Sequence, residues 1–208
     1  MKILITDDHK IVRDGLKEIL KQVPDIETIE EANDGEEALA HFHRKEFDLI
    51  LLDISLPDMT GLEVLQTIKK KNPAQKVLIL SMHPQEQYAL RALKLGASGY
   101  LTKGTAAEEL ITAVKKINSG GKYITTSLAE SIALHLDKDF SKPLHDSLSS
   151  REFEIMIKIA AGKPLHEIGS ELCISGKTVS TYRSRIMEKM GLKKNAELIQ
   201  YCIRNGLI

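Results

Sequence analysis

The sequence predicts an α/β domain with a doubly wound, five-stranded parallel sheet in the order 2-1-3-4-5, followed by an all-α domain of four helices with a helix-turn-helix. Two observations predict this fold class. Strand and helix patterns alternate through residues 1–121, as in a parallel sheet that is covered by helices. Residues 148–208 contain no strand pattern, and a tight turn at residues 173–175 separates two of their helical patterns.

Five short apolar runs are typical of the strands of such a sheet. The third, residues 49–52, is apolar without interruption, as in a strand that is buried on both faces. It ends at Asp53, and Pro57 and Gly61 then break the pattern before the next helix. The other four predicted strands cover residues 1–6, 26–31, 76–80 and 97–102.

Apolar residues at helical spacing predict a helix after each strand. Asp34 is placed to cap the second helix, and Pro84 opens the fourth, where its missing N–H costs little. Thr105 and Glu108 have the spacing of a capping box at the start of the fifth, which ends at residues 120–121. The predicted helices cover about residues 10–22, 34–42, 62–72, 84–96 and 105–120.

The second domain contains four helical patterns. Ser149 and Glu152 form a predicted capping box at the start of the first helix. Ser175 is placed to cap the third helix, and Gly191 ends it. The predicted helices cover about residues 149–162, 167–172, 176–190 and 196–204.

A linker separates the two domains. Residues 128–136 have helical periodicity, which predicts a short helix, and residues 137–143 are typical of a flexible segment. We therefore expect a first domain at residues 1–121, a linker at residues 122–147 and a second domain at residues 148–208.

Composition limits the class of protein. The chain has no net charge, but residues 145–208 carry 10 basic and 7 acidic side chains, which weakly favours an anion-binding second domain. Cys173 and Cys202 lack the spacing of metal ligands and are typical of reduced core residues of a cytosolic protein. No apolar run is long enough to span a membrane, and Met1 leads directly into a strand. We expect a soluble, cytoplasmic protein.

Polar residues follow four of the strands. Asp7 and Asp8, Asp53, Ser81 and Lys103 should lie at one edge of the sheet, where open α/β sheets bind ligands. An aspartate after a strand is by itself more often a turn or capping residue. Three carboxylates in one small site repel each other, however, and a divalent cation such as Mg²⁺ would relieve that repulsion. Lys103 and Ser81 could then bind an anion, most simply a phosphoryl group.

The order and spacing of these five residues resemble the receiver domain of two-component response regulators, over about residues 1–120. The resemblance implies that Asp53 is the acceptor of a phosphoryl group from a sensor histidine kinase. It implies that Lys103 pairs with the phosphoryl oxygens and that Ser81 donates a hydrogen bond to one of them.

The same resemblance implies a magnesium site and a switch residue. Asp8 and Asp53 would bind Mg²⁺ directly, Asp7 would bind it through water, and the backbone carbonyl of Ser55 would complete the protein ligands. Tyr100 matches the switch aromatic of the family, although a tyrosine there could equally be an ordinary core residue.

Three positions need separate interpretation. Gly104 stands where many receivers have a proline, so the loop after Lys103 is expected to differ. Pro164 stands where a small polar residue usually caps the second helix of the C-terminal domain. His9 could be taken for a metal ligand, but Mg²⁺ prefers oxygen and does not need it.

The third helix of the C-terminal domain is basic. Six basic residues and one acidic residue lie between Cys173 and Lys194. Small hydroxyls beside Arg and Lys can reach base edges and phosphates, although a solvated basic helix would have the same composition. The candidate DNA contacts are Lys177, Ser180, Thr181, Arg183, Ser184, Arg185 and Lys189.

Motifs in the second domain favour DNA binding over that alternative. Residues 148–152, 174–179 and 206–208 resemble the LuxR-type DNA-binding domain. A receiver followed by this domain is typical of the NarL/FixJ subfamily of response regulators. The resemblance implies that phosphorylation of Asp53 releases the C-terminal domain, which then binds double-stranded promoter DNA as a homodimer.

Two other functions use similar residues. A phosphatase with a nucleophilic aspartate also needs Mg²⁺, an aspartate and a lysine, but it would leave the basic second domain unexplained. A receiver with a protein-binding output would bind its partner without a dependence on salt and would not shift DNA.

Overall fold

The computed structural model describes residues 1–83, 85–126, 128–130 and 143–208. The chain divides into two compact units, Met1–His135 and Leu136–Ile208. Of the predicted linker helix, residues 128–130 are helical, and its remaining residues lie outside the described residues. The predicted flexible segment lies outside them as well, except for Pro143, so the proposed limits of the linker stay a prediction.

The first unit contains the predicted parallel sheet. Its strand order is β2-β1-β3-β4-β5, and every neighbouring pair is parallel, which confirms the prediction from the alternating pattern. All residues of the third and fourth strands are buried, as continuous apolar runs predict. The strands are β1 (Lys2–Thr6), β2 (Thr28–Ala32), β3 (Leu49–Asp53), β4 (Val77–Ser81) and β5 (Gly99–Thr102).

Five helices follow the five strands. Asp34 caps the second helix by accepting a hydrogen bond from the Glu37 backbone N–H, as predicted. The predicted capping box of Thr105 is wrong, because the fifth helix has Ala106 as its N-cap and Thr105 Oγ1 lies instead 3.2 Å from Thr102 Oγ1. The helices are α1 (Lys10–Leu20), α2 (Gly35–Arg44), α3 (Gly61–Lys71), α4 (Gln85–Lys94) and α5 (Ala107–Asn118).

One face of the sheet packs against α1 and α5. Alternate residues of the strands, such as Ile5, Leu51 and Leu80, form one apolar cluster with Leu20 of α1 and Val114 of α5. The register places Thr6 beside Leu52, and Asp53 beside Leu80. The carboxyl ends of the central strands therefore lie level, and the polar residues that follow them are brought together.

The second unit is helical. The side chain of Ser149 accepts from the Glu152 backbone N–H, and the Glu152 side chain accepts in return, which confirms the predicted capping box. Pro164 is the N-cap of the second helix and gives it no side-chain cap. A 3₁₀ helix (Leu144–Ser147) precedes α6 (Ser150–Ala160), α7 (Leu165–Glu171), α8 (Gly176–Met190) and α9 (Asn195–Arg204).

The turn between α7 and α8 is tight. Ser175 caps α8 by accepting from the Thr178 backbone N–H, as predicted. A Cβ on Gly169 would lie 2.7 Å from the Ile174 carbonyl oxygen, so only glycine permits this approach of α7 to the turn. Cys173 turns the chain with a φ of 53° and is exposed in this turn, so the prediction that it lies in the core is wrong, whereas Cys202 is buried as predicted. These features give the helix-turn-helix that the sequence predicts.

Candidate functional site

Three charged side chains meet at the carboxyl edge of the sheet. Asp7 follows β1, Asp53 ends β3 and Lys103 follows β5. Lys103 Nζ lies 2.6 Å from Asp7 Oδ2 and 2.7 Å from Asp53 Oδ2. The exposed fraction of the side chain is only 8% for Lys103, 2% for Asp7 and 3% for Asp53. Lys103 therefore joins the two buried carboxylates and offsets part of their repulsion.

Burial dominates the electrostatics of Asp53. It raises the pKa of the Asp53 carboxyl from 3.8 to about 6, since the attraction of Lys103 does not fully offset the loss of water. The charge of Asp7 contributes to the same rise in this pKa. Burial lowers the pKa of Lys103, but the two carboxylates outweigh it, so that pKa lies above 10.5 and Lys103 stays charged.

The raised pKa of Asp53 makes stability depend on pH. Between about pH 4 and pH 6, the folded protein holds a proton that the unfolded chain releases, so stability falls as pH rises through this window. We expect Asp53→Asn to raise the free energy of unfolding of the metal-free protein at pH 7, by roughly 3 kcal/mol, and not at pH 4. Urea titrations at both pH values measure this, and an equal difference at both would contradict it.

Asp8 and His9 lie beside the buried pair. His9 Nδ1 lies 2.6 Å from Asp8 Oδ1, and the His9 backbone N–H donates to Asp7 Oδ1 at 2.9 Å. The side chain of His9 is 68% exposed and that of Asp8 is 34% exposed. The imidazole is therefore the more exposed of the two side chains, and its Nδ1 atom also lies 3.5 Å from Asp7 Oδ1, while the Asp8 carboxylate is accessible to an ion.

The donor set fits a hard divalent cation. The carboxylates of Asp7 and Asp8 and the ring of His9 each offer a ligand atom, all within 4.8 Å of one another. Asp53 Oδ1 is buried, and no residue of the described part of the chain forms a hydrogen bond with it. A buried carboxylate oxygen normally has a partner. Carboxylate oxygens are the ligands that Mg²⁺ prefers, and Ser55 lies in the loop directly after Asp53.

A hydrogen-bonded chain connects the carboxyl edge of the sheet to Tyr100, the predicted switch residue. Tyr100 is fully buried, and its hydroxyl donates to the His83 carbonyl at 2.9 Å. The His83 backbone N–H donates to Ser81 Oγ at 3.1 Å, and His83 Nε2 lies 3.2 Å from Ser55 Oγ. Tyr100 thus already points inward in this structure. No sequence pattern indicated these contacts of His83, because they depend on the conformation of a loop.

The exposed face of α8 carries most of the predicted DNA contacts. Lys177, Ser180, Thr181, Ser184 and Arg185 are all exposed. Thr181 Oγ1 donates to the Lys177 carbonyl and Ser184 Oγ donates to the Ser180 carbonyl, so each hydroxyl keeps its oxygen available to accept.

The other two candidates have partners inside the unit. Arg183 Nε donates to Asn195 Oδ1 at 2.8 Å. Lys189 Nζ lies 2.7 Å from Oε2 of Glu152, the capping-box residue of α6. Lys189 therefore joins α8 to α6. The sequence pattern of α8 could not reveal this contact, because Glu152 is distant in the chain.

No helix in the described part of the chain is both long and apolar enough to cross a membrane.

Comparisons with known proteins match both units. Residues 3–115 match the family model of the response regulator receiver domain. Residues 146–202 match the model of bacterial regulatory proteins of the luxR family. This family contains DNA-binding regulators rather than turnover enzymes, which decides against the phosphatase alternative.

Relatives match the chain over its whole length. It is 34% identical to the response regulator UvrY of Escherichia coli strain K12, across 100% of this chain and 95% of UvrY. It is 33% identical to the response regulator GacA of Pseudomonas aeruginosa, across 100% of this chain and 98% of GacA. A solved structure of RcsB from Salmonella enterica serovar Typhimurium, bound to the promoter rprA in the presence of phosphomimetic BeF₃⁻, is 25% identical with a TM-score of 0.63, across 97% of this chain and 98% of RcsB. The chain belongs to the response regulators of the NarL/FixJ type, transcription regulators in which a receiver domain is joined to a LuxR-type DNA-binding domain.

Proposed function

We propose that Asp53 accepts a phosphoryl group from a sensor histidine kinase and that this event controls the binding of α8 to promoter DNA by a homodimer. The observation that carries the proposal is the buried Asp53 carboxylate, which is bonded to Lys103 through Oδ2 and has an Oδ1 atom with no hydrogen-bond partner among the described residues. Such an oxygen is available to attack phosphorus.

The residues at the carboxyl edge of the sheet have different roles in the proposed transfer of the phosphoryl group. An Asp53 oxygen forms a bond to phosphorus as the bond from phosphorus to the kinase histidine nitrogen breaks. Lys103 is already within hydrogen-bonding distance of Asp53 and would hold a phosphoryl oxygen. Asp8, Asp53 and the Ser55 carbonyl would hold Mg²⁺ directly, and Asp7 would hold it through water. When bound, the ion would offset the negative charge that accumulates on the phosphoryl oxygens.

The same residues can convert phosphorylation into a change of shape. The phosphoaspartate adds negative charge at the sheet edge, and both Lys103 and the Ser81 hydroxyl can be drawn toward it. Ser81 accepts from the His83 backbone N–H, and Tyr100 donates to the His83 carbonyl. A shift of Ser81 would therefore move His83 and change the hydrogen bond of Tyr100. We propose that the inward Tyr100 is one of two positions and that phosphorylation favours it.

We expect Asp8→Ala to weaken Mg²⁺ binding by at least tenfold and His9→Ala to weaken it less. A hard cation prefers a carboxylate oxygen to an imidazole nitrogen, and the His9 side chain is more exposed than that of Asp8. Isothermal titration of the two variants with MgCl₂ measures the difference. If His9→Ala were the more damaging change, the ligand assignment would be wrong.

The exposed face of α8 supports the proposed reading of DNA. Lys177 lies in the first turn of α8, where a long basic side chain can reach phosphate. Thr181 lies one turn further on the exposed surface, where a hydroxyl can reach base edges in the major groove. Arg185 follows one turn later and offers a second positive charge. Lys189 is paired with Glu152, so we propose that it contributes to DNA binding chiefly by holding α8 in place.

We expect Lys177→Ala to weaken binding to all DNA sequences alike and to reduce the salt slope by about one, because a phosphate contact carries no sequence information. We expect Thr181→Ala to change the preferred half-site, by roughly 1–3 kcal/mol at one base pair. Competition on a randomised half-site library at two salt concentrations measures both effects. If Lys177→Ala shifted the preferred sequence while Thr181→Ala did not, α8 would face the groove differently.

A further inference from the structure

Arg13 is buried and contacts the backbone of Asp7 at the carboxyl edge of the sheet. It lies on α1, and its side chain is only 8% exposed. Its Nη1 atom donates to the Asp7 carbonyl oxygen at 2.6 Å, and its Nε atom donates to Glu31 Oε2 at 2.9 Å. The guanidinium therefore joins α1 and β2 to the segment that carries the proposed metal ligands.

This contact fixes one peptide plane. The Asp7 backbone N–H donates to the Ala32 carbonyl at 3.2 Å, and the Asp7 carbonyl accepts from Arg13, so the backbone of Asp7 is bonded at both ends. The Asp7 carbonyl belongs to the same planar peptide as the Asp8 N–H. Fixing that carbonyl therefore fixes the peptide plane from which Asp8 extends, so that rotation about the Asp8 N–Cα bond is the remaining backbone freedom between this plane and the Asp8 side chain. The Asp8 carboxylate itself lies beside His9, whose side chain is 68% exposed.

An ion pair between α1 and β2 does not by itself explain the contacts of Arg13. Glu31 has a second cation, since Lys17 Nζ lies 2.6 Å from Glu31 Oε1. Lys17 is on the same helix and bears the same charge, but its ion-pair partners are Glu31 and Asp14. The bond to the Asp7 carbonyl distinguishes Arg13 from Lys17, and the rigid fork of a guanidinium suits a residue that must meet two acceptors at once.

We infer that Arg13 is a positioning residue for the cation site: it holds the Asp7–Asp8 peptide in the orientation that lets both carboxylates bind a divalent cation. The inference rests on the proposed function of the carboxyl edge of the sheet, and it concerns the binding of the cation that precedes phosphoryl transfer. Partners that orient metal ligands in this way typically change metal affinity by 10- to 100-fold when they are removed.

Charge and positioning predict opposite effects of the same substitution. Arg13→Met keeps most of the stem of the side chain and removes one positive charge near the carboxylates. Loss of a cation alone would tighten Mg²⁺ binding, because a repulsive charge is gone. Loss of positioning would weaken it. Lys17→Met removes the same charge from the same helix without touching Asp7, and it is the matched control.

The experiment is a titration of the full chain with MgCl₂ by calorimetry, with wild type, Arg13→Met and Lys17→Met. We expect the dissociation constant to rise about tenfold in Arg13→Met and to stay within about twofold of wild type in Lys17→Met. Amide hydrogen exchange of Asp8 and His9, measured without metal, should be faster in Arg13→Met alone. Unchanged or tighter Mg²⁺ binding in Arg13→Met would overturn the inference.

A second variant keeps the test decisive if Arg13→Met does not fold. Arg13→Lys keeps the charge but has a single ammonium for two acceptors, so we expect a dissociation constant above that of wild type, and an affinity equal to wild type would overturn the inference. Phosphorylation by acetyl phosphate separates the two proposals. If wild type binds Mg²⁺ with the predicted dependence on Arg13 but Asp53 takes up no phosphate, the proposed function fails and the positioning role stands.

Discussion

Asp53→Asn is expected to abolish Mg²⁺-dependent phosphorylation of the chain by a kinase or by a small phosphodonor. An amide is a far weaker nucleophile than a carboxylate. The one other carboxylate beside Lys103 among the described residues is that of Asp7, which follows β1 and is bonded to the same ammonium. The measurement is the amount of acid-labile phosphate bound per chain after treatment with acetyl phosphate and MgCl₂.

Asp48→Asn is the matched control for this prediction. Asp48 lies directly before β3, at the opposite end of the strand that Asp53 ends, and its Oδ2 atom accepts from the Lys2 backbone N–H. An asparagine can still accept that bond through its amide oxygen. We expect Asp48→Asn to take up phosphate as wild type does. Normal uptake by Asp53→Asn would show that the acceptor is another residue.

Gly61→Ala is expected to cause the largest loss of stability among simple substitutions at the site. A Cβ on Gly61 would lie 1.9 Å from the Asp53 carbonyl oxygen and 3.0 Å from Ile54 Cα. Both contacts are with backbone, so no side chain can rotate away. The Gly61 N–H also donates to the Ile54 carbonyl at 2.8 Å, which holds the loop in this close approach. The loop after Asp53 must open, and we expect a loss of at least about 3 kcal/mol.

Gly15→Ala is the control for this substitution. Gly15 lies inside α1, and nothing lies within 4 Å of an added Cβ. Alanine is a better helix former than glycine, so we expect a gain of about 0.5–1 kcal/mol. Urea unfolding of both variants measures the two free energies. A Gly61→Ala protein within about 0.5 kcal/mol of wild type would contradict the proposed clash.

The sheet was predictable from the sequence because its signals are local. The uninterrupted apolar runs of β3 and β4 can only be buried strands of a parallel sheet or parts of buried helices, and the glycine and proline residues between them favour strands. Once the strands are parallel, the polar residues that follow them must lie at one edge. The meeting of Asp7, Asp53 and Lys103 follows from that geometry.

Features that depend on contacts distant in the chain were not predictable. The bond from Arg13 to the Asp7 carbonyl and the pair of Lys189 with Glu152 each join two elements whose packing the periodicity does not specify. Thr105 illustrates a local failure, because its hydroxyl lies beside Thr102 instead of capping α5. A hydroxyl that could cap a helix can bond to another nearby group instead, and here that group is the hydroxyl of Thr102 at the end of β5.

We propose that phosphorylation of Asp53 controls DNA binding by α8. The most direct test measures the affinity of wild type and Asp53→Asn for a DNA site selected from a randomised library, with and without acetyl phosphate and MgCl₂, by fluorescence anisotropy at fixed salt. The proposal predicts that the phosphodonor tightens binding by wild type about tenfold or more and leaves Asp53→Asn unchanged. An equal response of both proteins, or no response of a wild-type protein that is shown to carry phosphate, would contradict it.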